Sequence, residues 1–113
     1  MKILHNPRCS KSREALKLLE EKGVKPEVIK YMDDHLSLSD LKNIIDLLRI
    51  KPVQLVRTKE SFWKENFAGK NLSDDEIVQA MIDFPQLMER PIVIEGDRAI
   101  IGRPTEKVIE LLP

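Results

Sequence analysis

A single cysteine, Cys9, is the residue of this chain best suited to covalent chemistry, and its neighbours decide whether it performs any. A free cysteine is among the most buried residue types, so a lone thiol is ordinarily core filling. The context of Cys9 argues against that. It follows Asn6-Pro7-Arg8 in a strand-to-helix turn and precedes Ser10 and Lys11, poor company for a buried apolar group. The turn sets it at the positive end of a helix dipole, beside backbone N–H groups that lack intrahelical partners. An unperturbed thiol, with a pKa near ~8.5, is only about 3% thiolate at neutral pH. A fall of about two units would make it roughly three-quarters thiolate, about a twenty-fold gain in the nucleophilic form before any loss of intrinsic nucleophilicity.

His5 and Ser12 flank this thiol in sequence. His5 ends the first strand and either lends positive charge to the thiolate or fills the strand end. Ser12 stands where the second thiol of a Cys-x-x-Cys pair would be, so the site cannot close its own disulfide and any redox cycle needs an outside thiol. A metal site is not expected: His5 and Cys9 supply two ligands, and His35 lies in a polar Asp-Asp-His loop. A cysteine-phosphatase loop also fails, because Cys9 and Arg13 are too close in sequence to wrap an oxyanion between them.

Three arginines stand at structural junctions. Arg90 and Arg103 each precede a proline, which holds the preceding residue extended and fixes where the side chain departs. The Arg90-Pro91 bond, just before a strand, is a good place for a cis peptide. Arg57 ends an otherwise apolar Leu-Val-Arg segment. Guanidinium forks suit tetrahedral oxyanions because they donate paired hydrogen bonds. The alternative for each is a solvated or ion-paired surface residue.

The elements that must position these residues are legible in outline. Lys2–His5 forms a short strand, closed by Asn6-Pro7. Ala15, Leu16 and Leu19 line one face of a helix over 10–22 that Gly23 terminates. Val28, Ile29 and Tyr31 mark a second strand over 26–31, completing a βαβ unit with parallel strands. Ser37 with Asp40 caps a helix whose stripe is Leu41, Ile44, Ile45 and Leu48. Pro52 opens a short helix reaching about Arg57. The stretch 58–71 has no clean period, and its Phe62, Trp63 and Phe67 are expected to pack over the core as a lid. Ser73 with Glu76 opens a further helix, ended by Phe84-Pro85. Two strands, 91–94 and 99–101, then form a hairpin around Gly96, and a final helix carries Val108, Ile109, Leu111 and Leu112. The order βαβ, helical middle, ββα implies an α/β sandwich.

The 113 residues fit one domain, with 19 basic and 19 acidic side chains giving no net charge. Bulk electrostatics therefore favour neither nucleic acid nor an anionic membrane. No apolar run approaches spanning length, and the N-terminal residues form no signal-peptide core. A cytoplasmic, monomeric protein is expected.

With Cys9 and the arginines in view, the sequence resembles the glutathione- and glutaredoxin-dependent arsenate reductase family along essentially its whole length. The segment His5-Asn6-Pro7-Arg8-Cys9-Ser10-Lys11-Ser12-Arg13 is similar to the family's nucleophile loop. Leu55-Val56-Arg57, Arg90-Pro91-Ile92-Val93 and Gly102-Arg103-Pro104-Thr105-Glu106 are similar to its three arginine segments. The resemblance implies a thioredoxin-like fold with a helical insertion, a four-stranded mixed sheet and a cis proline at Pro91. It implies Cys9 as nucleophile, His5 and Ser12 in support of its thiolate, and Arg57, Arg90 and Arg103 on the oxyanion. It further implies arsenate or a similar oxyanion as substrate, no bound cofactor, glutathione as co-substrate and glutaredoxin as partner. Two other readings remain: a general glutathione-dependent thiol-disulfide reductase using the same Cys9, and a redox-responsive regulator that binds RNA polymerase. Ser12 in place of a second cysteine counts against the regulator.

Overall fold

The computed structural model describes residues 1–112. They form two compact units, one made of Met1–Asp34 with Arg90–Pro113 and the other of His35–Glu89, which the chain inserts between the halves of the first.

The first unit holds a four-stranded sheet in the order β2-β1-β3-β4: β1 Lys2–Leu4, β2 Glu27–Ile29, β3 Ile92–Glu95 and β4 Arg98–Ile101. β1 runs parallel to β2 and antiparallel to β3, and β3 pairs antiparallel with β4, so the sheet is mixed. β2 is half the length the sequence suggests. Its sole neighbour, β1, offers only three strand residues before the Asn6-Pro7 turn, so the ladder has nothing further to pair with. At the hairpin, Glu95 and Arg98 pair across a two-residue turn in which Gly96 adopts φ +59°. A turn of this kind needs a positive φ at that place.

Helix α1, Ser10–Glu21, buries Ser12, Ala15 and Leu19 along one stripe. It stops where Gly23, at φ +81°, lets its N–H reach Glu20 O at 3.0 Å and the Val24 N–H reach Leu19 O at 3.0 Å. This satisfies carbonyls that the helix end would otherwise leave unpaired. The core under α1 gathers Ile3, Ala15, Leu19, Val93, Val108 and Leu111. Each fully buried aliphatic side chain of this kind contributes about 1.5–3 kcal/mol. Ile3 and Val93 are cross-strand partners on that face, while Leu4 and Ile92, the next pair, are equally buried on the other. The final helix, Thr105–Leu111, is wound as a 3-10 helix and not as an α-helix. Its two buried residues, Val108 and Leu111, are three apart, and three residues per turn stacks them on one face while Ile109 stays exposed.

The second unit is helical. α2, Leu38–Leu48, and α4, Asp74–Asp83, each begin with the capping box expected of them, Ser37 with Asp40 and Ser73 with Glu76. The segment without a sequence period contains a six-residue helix, α3 (Ser61–Asn66), too short to display one. Its aromatics pack on one another and on Phe84: Trp63 stacks on Phe67 with ring centroids 5.3 Å apart, and Phe62 lies 4.6 Å from Phe84. The Pro52 helix is a single 3-10 turn, Pro52–Leu55, so Arg57 lies beyond it. Among the described residues no helix is long and apolar enough to cross a membrane.

Candidate active site

Cys9 is the N-cap residue of α1, with extended backbone at φ −98° and ψ 122°, and is 7% exposed. The loop leading to it is closed by its own polar groups. Asn6 O accepts the Cys9 N–H at 2.9 Å, and Asn6 Oδ1 accepts the Arg8 N–H at 3.0 Å. Asparagine before proline suits the second of these bonds, since its short amide can mimic a backbone turn.

As a thiol, Cys9 makes no side-chain cap bond, which leaves the first-turn amides of α1 to the thiolate. Burial pushes the thiol's pKa up, but the opposing contributions win. The Ser12 N–H, a hydrogen bond from the Arg90 guanidinium together with its positive charge, and the Lys11 N–H hold it below the ordinary value. Each of these donors favours the charged sulfur over the neutral one.

His5 and Ser12 meet beneath the loop. Ser12 is fully buried, and its Oγ accepts the Asn6 N–H at 3.0 Å and lies 3.1 Å from His5 Nδ1. Burial first, then the charges of Lys30 and Arg13, lower the His5 pKa, so the imidazole is neutral at neutral pH. The trio is satisfied when the Ser12 hydroxyl donates to Nδ1 and the ring proton sits on Nε2. His5 thus reaches Ser12 as a neutral hydrogen-bonding partner and carries no charge with which to attract a thiolate.

The two arginines of the first unit converge on each other. Arg90 is half-buried with its guanidinium against Cys9, and its Nε is buried without a hydrogen-bond partner. Arg103 Nε donates to the Arg90 carbonyl at 2.6 Å. Both precede cis prolines, Pro91 as the sequence suggests and Pro104 in addition. Gly102 allows the two segments to approach, since a Cβ there would stand 3.0 Å from Pro91 Cγ and 3.1 Å from Val108 Cγ1. Arg57 belongs to the second unit, where its guanidinium pairs with Glu60 at 3.3 Å and reaches Gln86 O at 3.4 Å. The sequence did not single out Asn6 or Arg13. Arg13 Nη1 donates to Pro7 O at 2.8 Å, and the signal for it was its position one helical turn beyond Cys9. Among the described residues no group of three or more His, Cys, Asp or Glu side chains gathers to hold a metal ion.

A buried, activated cysteine at a helix start, faced by an arginine ahead of a cis proline in a mixed four-stranded sheet, defines a thioredoxin-like thiol protein. The chain belongs to the ArsC family, whose model matches residues 4–111. It is 45% identical to the arsenate reductase of Neisseria meningitidis serogroup A over 99% of this chain and 97% of that protein. It is 47% identical to the uncharacterized protein YfgD of Escherichia coli over 99% of this chain and 96% of that one. The arsenate reductase structure from Vibrio cholerae superposes with a TM-score of 0.93 at 46% identity, covering 98% of this chain and 96% of the other. The expected fold, thioredoxin-like with a helical insertion and a four-stranded mixed sheet, is the one observed.

Proposed function

We propose that this protein reduces arsenate to arsenite through a covalent Cys9–arsenic adduct, with glutathione and glutaredoxin supplying the electrons. The observation that carries the reading is Arg90, whose guanidinium faces the Cys9 sulfur while its Nε stays buried without an acceptor. A buried donor left unpaired costs free energy. An oxyanion brought beside the sulfur would meet the charged fork of the same guanidinium, which donates paired hydrogen bonds to such an anion. Relatives named arsenate reductases at similar length support the same choice of anion.

In this scheme the Cys9 thiolate attacks As(V), and an arsenate oxygen takes up protons and leaves as water. Arg90 and Arg103 hold the remaining oxygens, and the resemblance adds Arg57 to the set. Glutathione then attacks the thio-adduct. Glutathione takes the place of a second arsenate oxygen, which leaves as water, and the glutaredoxin thiolate then attacks the glutathione sulfur. The As–S(glutathione) bond breaks with its electron pair left on arsenic, giving a glutaredoxin–glutathione disulfide and As(III). Water finally cleaves the Cys9–As bond to release arsenite and the Cys9 thiol. Charge-assisted donors fixed in place beforehand stabilise the charge that develops, at a few kcal/mol per donor.

The test is arsenate-dependent NADPH consumption coupled through glutathione reductase, glutathione and glutaredoxin, run on wild type beside Cys9→Ser. Turnover lost only in the variant supports the scheme. A folded wild type that turns over a glutathione mixed disulfide but no arsenate would replace it with the general thiol-disulfide reductase.

A further inference from the structure

We propose that Arg13 is a positioning residue for Cys9, strapping the loop that carries the nucleophile from one turn inside α1. The proposal rests on Cys9 acting as a nucleophilic thiolate and asks what keeps its sulfur in place.

Helical side chains lean toward the helix N-terminus, so a residue in the second turn can reach back over the first. Arg13 does so. Its Nη1 donates to Pro7 O at 2.8 Å, across the loop that precedes Cys9. The other polar groups of this loop are held from within it or from below. Asn6 N–H goes to Ser12 Oγ, Asn6 O takes the Cys9 N–H, and Asn6 Oδ1 takes the Arg8 N–H. Pro7 has no N–H to offer, so its carbonyl is its one backbone handle, and a charged donor holds it.

The groups that act directly on the sulfur are Ser12, Arg90 and Lys11, and Arg13 is not among them. Its influence therefore passes through the loop. The Ser12 and Lys11 amides belong to α1, whereas the Cys9 side chain leaves from the loop–helix junction. A loop that slides along the helix start takes the sulfur away from fixed donors. Arg13 also helps keep His5 neutral, after burial and Lys30, and so preserves the partner of the Ser12 hydroxyl. Arg13 is exposed, which separates this role from a contribution to the core.

The test is the rate of Cys9 alkylation by iodoacetamide over about pH 5 to 10 in wild type, Arg13→Met and Arg13→Lys, at low and high salt. Arg13→Met is expected to slow alkylation at neutral pH about 3- to 10-fold, a rise of about half to one unit in the midpoint, with an unchanged alkaline plateau. Arg13→Lys, which keeps the charge but not the fork, is expected to fall between. The deficit should persist in high salt, and in the arsenate assay kcat should fall with KM unchanged. The proposal is overturned if both variants superimpose on wild type, if high salt erases the difference, or if KM for arsenate rises while the alkylation profile stays put. Alkylation requires no oxyanion, so failure of arsenate reduction itself would count against the proposed function and leave this inference to be decided by the alkylation profiles.

Discussion

The Nε of Arg103 donates a hydrogen bond of 2.6 Å to the backbone carbonyl of Arg90. One arginine thus holds the backbone of another, and the second is the one whose guanidinium faces Cys9. The consequence is that charge at position 103 is not the whole of its contribution. Lysine there keeps the charge and loses the Nε–H directed at the carbonyl.

Arg103→Ala is therefore expected to lower kcat/KM for arsenate about 100-fold, in line with the loss of a fixed donor to a developing anion. Arg103→Lys should recover only part of that. Steady-state kinetics of the two variants decide the matter. Full recovery by lysine would reduce Arg103 to a point charge.

Gly102→Ala tests the approach of the segments that carry these arginines. The added Cβ would stand 3.0 Å from Pro91 Cγ and 3.1 Å from Val108 Cγ1, one a ring and the other a β-branched core side chain. Neither yields easily, and overpacking of this type costs about 1–3 kcal/mol. A lowered urea midpoint together with slower Cys9 alkylation is expected, because Pro91 adjoins Arg90. An unchanged midpoint would show that the neighbours give way freely.

Ser12→Ala removes a fully buried hydroxyl that accepts the Asn6 N–H and meets His5 Nδ1. The buried His5 nitrogen and the part-buried Asn6 N–H then lose a partner at once, at about 1–3 kcal/mol where water cannot replace it. The backbone N–H of residue 12 survives the change, so the thiol's pKa should rise only as far as the loop relaxes. Chemical denaturation and the alkylation profile, measured together, separate the two effects. A stable variant with a strongly raised pKa would mean the hydroxyl acts on the sulfur itself.

Much of this was legible from residue types, because the informative signals are local. Gly23 and the Asn6-Pro7 turn bound α1, the two capping boxes start their helices, and Gly96 turns the hairpin. What was not legible depends on partners distant in sequence. β2 is cut short by β1, and the 3-10 winding of Thr105–Leu111 follows from which face meets the core under α1. Among the site residues, Cys9 stood out because its type, turn and neighbours agree. The carbonyl contact of Arg13 depends on its rotamer, and that of Arg103 on backbone brought in from another segment, which no spacing rule encodes. His5 shows the same limit from the other side: its sequence position leaves open a charge beside the thiolate or a filler of the strand end, and burial with two nearby positive charges decides against the charge.

The lowered pKa of Cys9 also makes a prediction about stability, and its sign follows from linkage. The native thiol titrates below the ordinary thiol value, so between the two values the unfolded chain holds a proton that the native protein has released. Stability rises with pH wherever the unfolded state binds more protons. Cys9 accordingly contributes stability that is fully present above the ordinary thiol value and is lost as pH falls through the native value. His5, also lowered, adds a second loss of the same sign at more acid pH, complete only below its native value. Urea unfolding of wild type and Cys9→Ser at a series of pH values should show a stability difference that grows in favour of wild type up to the ordinary thiol value and then levels off. His5→Gln should flatten the acid limb alone. A difference independent of pH would mean that the native thiol is no more acidic than the unfolded one, and the donors around Cys9 would then have to be assigned another purpose.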